Sequence, residues 1–289
     1  MTRIAVIGPG AVGTSIAVAL SHQYEVTLLG RRHQTLTFED YADQTTRTLI
    51  VNALQEATQP FDLVFIAVKT HQLASVISKL PELTHDKTTL ILAQNGYGML
   101  EQLKDYRAYQ AVVYVSGQKK DNHVTHFRDY KLHLQSDAVT EQLAQAFSAT
   151  KLELVLEPHI QQAIWYKLIV NLGINTVTAL GRDTARVLKD EQMAELCRQL
   201  LLEGEQVARA EGIHFDADFV TSIMNIYAGY PDEMGTSMYY DTMNQYPLEV
   251  EAIQGYIYRR AEAHQLDTPH LETIYTLLAY QNQSRLSEM

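Results

Sequence analysis

The 289 residues exceed one typical hydrophobic core, which favours two domains, and 46% hydrophobic with 20% charged residues is the balance of a chain able to fold around a packed interior. A net charge of −11 with no basic run argues against a nucleic-acid partner or an anionic membrane surface, and no stretch approaches the roughly 20 uninterrupted apolar residues of a spanning helix. The single cysteine, Cys197, excludes an intramolecular disulfide, and the start of the chain carries no signal-peptide pattern, so a cytoplasmic protein is expected.

In chain order, an apolar strand over 3–7 runs into a glycine loop, a helix follows over 15–22, and a second buried strand covers 25–29. Apolar strands over 62–68 and 89–93 continue the series, with a helix over 72–80 between them. Strands alternating with helices predict a parallel sheet covered on both faces. Between 111 and 135 the texture changes to three closely spaced strands, 111–115, 124–127 and 130–134, with turn residues at 121–122 and 128–129. These read as an antiparallel extension at the sheet edge. A helix near 138–149 and a strand over 152–156 complete a first domain of residues 1–158.

The remainder, 159–289, reads as all helix, with helices over 159–180, 189–211, 216–228, 247–264 and 268–284. Asp216 and Thr268 are expected as caps, and Pro247 and Pro269 as first-turn residues. The link 229–246, rich in Tyr, Met, Gly and Asp, is the longest helix-poor segment of this half. Its Tyr and Met side chains are read as core packing, with a substrate lid or the subunit contact of a homodimer as alternatives. Cys197 lies on a helical face and is read as a small buried hydrophobe. The eleven histidines show no metal-ligand spacing, so no metal is expected.

Gly8-Pro9-Gly10-Ala11-Val12-Gly13 follows a strand and opens a helix, the setting in which such a loop binds a dinucleotide. The first glycine permits the tight turn, the second lets backbone amides approach a pyrophosphate, and the third lets helix and strand pack closely. The phosphates then meet the positive end of the helix. After the second strand, where an NAD-selective site carries an acidic residue, this chain has Gly30-Arg31-Arg32. Paired guanidinium groups suit a 2′-phosphate, so NADP(H) is the expected cofactor, with ligand-free surface arginines as the alternative. Lys69 and Asn95 end the strands over 62–68 and 89–93, on the side where open α/β sheets collect ligands.

Lys167, Asn171 and Asn175 recur every fourth position in an otherwise apolar run, so an ammonium and two carboxamides stand one above another on a helix whose other surfaces call for burial. A plain solvated stripe is the alternative, but it is narrow and carries only one charge. Glu249 is expected on the helix after Pro247, either as a site residue or as a carboxylate stabilising that helix's N-terminus. Ser237 and Asp241, four apart, fit a helix cap and its neighbour as well as a site.

Taken together, five blocks in order resemble the ketopantoate reductase (2-dehydropantoate 2-reductase) family over essentially the whole chain. They are the loop Gly8 to Gly13, the segment 67–70 with Lys69, the segment 94–96 with Asn95, the helix with Lys167, Asn171 and Asn175, and Ser237 followed twelve residues later by Glu249. The resemblance implies an N-terminal Rossmann-type α/β dinucleotide-binding domain and an all-α C-terminal domain of the 6-phosphogluconate dehydrogenase C-terminal type. It further implies NADPH-dependent reduction of 2-dehydropantoate to (R)-pantoate, a step toward pantothenate and coenzyme A, with Lys167 as proton donor. Asn171, Asn175, Ser237 and Glu249 would hold substrate, Lys69 and Asn95 would border the cofactor, and a further cofactor contact maps near Gln118. Two departures bear on substrate preference: Met234 stands where some members carry Asn, and Ala185-Arg186 replaces a frequent Asn-Gly pair. A dehydrogenase for branched or aromatic 2-oxo acids, and a non-catalytic NADP sensor, are the competing readings.

Overall fold

The computed structural model describes residues 2–287. It divides into two compact units, the first running to Asn95 and from Met99 to Ile160, the second comprising Gly96–Gly98 and the chain from Gln161 onward.

The first unit is a mixed sheet with helices. Its elements are β1 (Ile4–Ile7), α1 (Ala11–Leu20), β2 (Val26–Gly30), β3 (Gln34–Asp40), β4 (Thr45–Ala53) and β5 (Leu63–Ile66), then the short helices α2 (Leu73–Ile77) and α3 (Leu80–Leu83). They are followed by β6 (Thr89–Leu92), β7 (Arg107–Gln110), β8 (Val112–Lys120), β9 (His123–Gln135), α4 (Ala138–Phe147) and β10 (Glu153–Glu157). The strand order is β10-β9-β3-β4-β2-β1-β5-β6-β7, with β8 paired to β9. From β4 to β7 neighbouring strands are parallel, whereas β3–β4 and β8–β9 are antiparallel.

β1, β5 and β6 are apolar at almost every position because both their faces are covered. Ile4, Val6, Leu63 and Phe65 enter one core, and Ala5, Ile7, Val64 and Ile66 enter another, as the two-residue period of a strand requires. Asp137 caps α4 in a capping box, accepting from the amides of Val139 and Thr140 at 2.8 and 3.0 Å.

Several expectations are corrected. The first helix begins at Ala11, within the Gly8–Gly13 motif, and the helix expected over 72–80 is two short helices. β3 and β4 form a hairpin that the residue pattern conceals, because threonines and charges face out along it and leave no apolar run. The expected turn at 128–129 is instead an irregularity within the 13-residue β9: Asp129 takes a φ of 63°, and the pairing register slips opposite, at Ser116.

The second unit holds α5 (Ile160–Gly181), α6 (Glu191–Ala210), α7 (Phe219–Ala228), α8 (Ser237–Met243), α9 (Gln254–Ala263) and α10 (Pro269–Ser287). α5 is its axis, with Trp165, Leu168, Ile169, Leu172, Ile174 and Val177 all buried in the core. This helix is long and apolar enough to cross a membrane by length and composition, and 72% of its most apolar window is buried inside the fold. Asp190 caps α6 through the amides of Gln192 and Met193, both at 3.0 Å. Asp218, not Asp216, holds the N-cap position of α7. The link 229–246 contains α8, and the helix expected over 247–264 is a 3-10 turn, Val250–Ala252, followed by α9, which leaves Pro247 outside it.

Candidate functional site

The glycine loop lies where the C-terminal ends of β2, β1, β5 and β6 stand side by side. Gly8 takes a φ of +110°, and a Cβ on it would stand 2.6 Å from the backbone of Ala67 at the end of β5. Gly13 is tighter still: its Cβ would fall 2.1 Å from the carbonyl oxygen of Gly8. Gly10 occupies the N-cap position of α1, which has no side-chain cap, and no atom lies within 4 Å of where its Cβ would be. The loop therefore presents the start of α1, Ala11, Val12 and Gly13, bare of side-chain caps, to whatever approaches over Gly10. That is the arrangement a pyrophosphate requires.

Gly30 closes the other side of the loop, since a Cβ there would meet Pro9 Cγ at 2.8 Å. Arg31 and Arg32 follow directly, both exposed. Lys69 is half-buried at the N-cap position of the 3-10 turn Thr70–Gln72 that follows β5, and Asn95 is half-buried just beyond β6. Gln118 lies on β8 opposite Thr125, and its neighbour Lys119 donates from Nζ to the carbonyl oxygen of Pro9 at 2.8 Å. Burial, then the charges of Arg31 and Arg32, hold the Lys119 ammonium below the usual lysine pKa, so three cations share one neighbourhood beside the loop. Lys119 carries no sequence signal, because its partner lies 110 positions away.

The lysine–asparagine column belongs to the helical unit. Asn171 and Asn175 are 8% and 4% exposed on α5, and Lys167, one turn before them, is half-buried. The solvated stripe that stood as the alternative is thus not what this column forms. Tyr227 braces the column by donating to the carbonyl oxygen of Val170 at 2.6 Å. Gly173 keeps the backbone close to α6 and α7, for a Cβ there would stand 2.9 Å from Leu201 and 3.0 Å from the Tyr227 hydroxyl.

Two hydrogen bonds tie further site residues to the same helix. Thr178 and Thr236 pair through their hydroxyls at 2.7 Å, which fixes the start of α8 beside α5. Thr236 also accepts from the Tyr239 amide at 3.1 Å, so it is the cap, and Ser237 stands exposed as the first residue of α8. Gln254 donates to Thr176 at 2.9 Å, and Asn282 clasps both backbone groups of Leu248 at 2.7 and 3.2 Å. Glu249 lies between these two anchors, only 5% exposed, in the N-cap position of the 3-10 turn and not on a helix. Glu251 faces elsewhere, bound to Arg259 at 2.7 Å. The two departures from the family pattern touch: the Ala185 amide donates to the Met234 carbonyl at 2.8 Å. Among the described residues no group of three or more His, Cys, Asp or Glu could hold a metal ion.

A parallel-stranded α/β unit with a dinucleotide loop, joined to a helical unit with a lysine–asparagine column, defines a nicotinamide-dependent oxidoreductase of Rossmann type. The family described as "Ketopantoate reductase PanE/ApbA" matches residues 4–138, and its C-terminal counterpart, "Ketopantoate reductase PanE/ApbA C terminal", matches residues 159–282. The chain belongs to the ketopantoate reductase family. It is 32% identical over 288 residues to the 2-dehydropantoate 2-reductase of Mycobacterium tuberculosis, covering 96% of this chain and 97% of that one. A dimeric ketopantoate reductase from Staphylococcus aureus superposes with a TM-score of 0.94 at 53% identity, covering 98% and 99% of the two chains. A D-mandelate dehydrogenase bound to NADH shares the fold, with a TM-score of 0.88 at 20% identity over 98% of this chain and 99% of that one.

Proposed function

We propose that this protein reduces 2-dehydropantoate (ketopantoate) to (R)-pantoate with NADPH, a step toward pantothenate and coenzyme A, with Lys167 as general acid. The observation that carries the reading is the column on α5, where a half-buried ammonium stands below two carboxamides that are 8% and 4% exposed. A core helix keeps such groups only where they are given partners. We assign cofactor binding to a domain of residues 1–158 and substrate binding to residues 159–289.

The loop Gly8 to Gly13 takes the pyrophosphate, Arg31 and Arg32 the 2′-phosphate, and Lys69, Asn95 and Gln118 the remainder of the dinucleotide. When bound, NADPH supplies the hydride that reaches the carbonyl carbon of the 2-oxo acid. The Lys167 ammonium polarises the carbonyl oxygen and then protonates it, lowering the barrier in both ways. Asn171 and Asn175 orient the substrate through donors and acceptors that carry no charge, so they leave the lysine's proton affinity alone. Glu249 accepts from a substrate hydroxyl and, as a neighbouring anion, favours the protonated lysine. Ser237 adds a hydroxyl donor from the start of α8.

Initial rates over a panel of 2-oxo acids with NADPH and NADH test this reading. 2-Dehydropantoate with NADPH is expected to lead, and a higher rank for 2-oxoisocaproate would end the substrate assignment. Lys167→Ala should lower turnover at least about 100-fold, the size of lost acid catalysis, while NADPH still binds. A loss of less than about threefold would remove Lys167 from that role. We extend the reading to a cytoplasmic homodimer, supported by the dimeric relative from Staphylococcus aureus, and sedimentation of the purified protein checks the assembly.

A further inference from the structure

β8 crosses the dinucleotide loop and touches it twice. A Cβ on Gly117 would lie 3.5 Å from the Ala11 side chain, so the strand runs against the first residue of α1. Two residues on, Lys119 donates to the Pro9 carbonyl at 2.8 Å. Pro9 is the residue against which Gly30 packs on the other side, with 2.8 Å from a Gly30 Cβ to Pro9 Cγ, and Arg31 and Arg32 begin immediately after Gly30. The loop's proline is therefore flanked by Gly30, directly after which the arginine pair begins, and by a lysine from β8.

An ammonium has three donors. One of Lys119's is spent on Pro9, which sets its position, and two remain for another acceptor. Three cations held together repel one another, and the cost is larger for Lys119 because it is half-buried. In a chain of net charge −11 such a concentration is relieved by an anion. A phosphate monoester carries close to two charges at neutral pH and three acceptor oxygens, matching two guanidinium groups and one ammonium better than a singly charged diester.

We propose that Lys119 is a specificity-determining residue, the third cation of a 2′-phosphate clamp with Arg31 and Arg32, pre-set by its bond to Pro9. The proposal rests on the NADPH reading given above. It separates two roles for β8: a strand that merely props the loop supports NADPH and NADH alike, whereas a clamp on the 2′-phosphate supports NADPH alone.

The test measures dissociation constants of NADPH and NADH, by quenching of protein fluorescence or by calorimetry, for the wild type, Lys119→Gln and Lys119→Arg. Lys119→Gln is expected to weaken NADPH about tenfold or more, the loss of one charge-assisted bond, and NADH less than about twofold. Lys119→Arg should retain the preference, since it restores the charge. Equal weakening of both cofactors by Lys119→Gln would overturn the proposal and leave Lys119 as a brace for Pro9. An unchanged NADPH affinity would overturn it outright. A wild type that binds NADH more tightly would instead remove the NADPH reading itself, before any variant is compared. Displacement of NADPH by 2′-AMP, expected to lose strength in Lys119→Gln and to persist in Lys119→Arg, isolates the monoester from the rest of the dinucleotide. Equal displacement by 2′-AMP in all three proteins would count against the clamp.

Discussion

Gly13 lies so close to Gly8 that the Gly8 carbonyl oxygen occupies the space a Cβ at residue 13 would need, 2.1 Å away. The contact is backbone against helix, so no side chain can yield to relieve it. Gly13→Ala should therefore destabilise the protein by about 2 kcal/mol or more through overpacking, read as a lowered urea midpoint. Gly10→Ala is the contrast. Gly10 has an ordinary φ of −86° and no atom within 4 Å of its absent Cβ, so its substitution should shift stability by less than about 0.5 kcal/mol. It should nevertheless weaken NADPH, because the methyl would project over the amides at the start of α1. Equal stability losses for the two variants would show that the loop is not packed this way.

Glu203 of α6 acts on a distant helix end. Its carboxylate accepts from the amides of His270 and Leu271 at 3.1 and 2.7 Å and bonds His270 Nδ1 at 2.7 Å. Those donors belong to the first turn of α10, where helices have unsatisfied amides and where negative charge is favourable. Glu203→Ala should cost about 1–3 kcal/mol, since it leaves the buried Leu271 amide and the partly buried His270 amide without an acceptor, whereas Glu203→Gln should cost less because one acceptor oxygen remains. Chemical unfolding of both variants decides it, and a loss below about 0.5 kcal/mol for the alanine would show that the cap is dispensable.

Parts of this architecture were legible residue by residue, and others needed the fold. Gly8, Gly10 and Gly13 announce themselves because their constraints are local: a positive φ, an open approach and a close crossing all occur within six positions. The period of Lys167, Asn171 and Asn175 is equally local, so the polar column was visible, but its burial depends on α6 and α7 packing round it. The β3–β4 hairpin escaped because a sheet face turned to solvent interrupts its apolar residues, and Ile50 is 71% exposed at its centre. Ser237 looked like a cap, yet Thr236 takes the role because Thr178, 58 positions earlier, supplies its hydroxyl with a partner. Glu249 is expected on a helix after Pro247, yet Asn282 captures both backbone groups of Leu248 and no helix forms before the 3-10 turn.

Cys197 is fully buried between α5 and its neighbours, and burial pushes its thiol up to about 12. Nucleophilic attack requires the thiolate, so the native protein should resist thiol reagents. In a disulfide-exchange assay at pH 8, well under about 0.1 equivalent should react over an hour in buffer and about one equivalent at once in denaturant. Stoichiometric labelling of the folded protein within minutes would mean that this region opens far more readily than its packing allows.

Acid should unfold the protein in two stages governed by one cluster on the sheet. His126 is 1% exposed, stacked on Tyr130 with ring centroids 3.8 Å apart and on Phe38 at 6.2 Å. Burial lowers its pKa from 6.5 despite the nearby charges of Asp40, Asp129 and Asp43, and Lys151 opposes protonation as well. The unfolded chain therefore takes up the proton first, and stability is lost as pH falls from about 6.5 toward the lower folded value. For Asp40 burial works in the other direction, but hydrogen bonds from Tyr130, the Ala42 amide and Lys151 outweigh it and hold the carboxyl below 3.8. That contribution is present above about pH 4 and disappears only on further acidification. Urea midpoints measured from pH 7.5 to 3 should show both declines, and His126→Phe, which keeps the stack and removes the titration, should flatten the first while sparing the second. A variant whose midpoint falls between pH 6.5 and 5 as steeply as the wild type would assign that decline to groups other than His126.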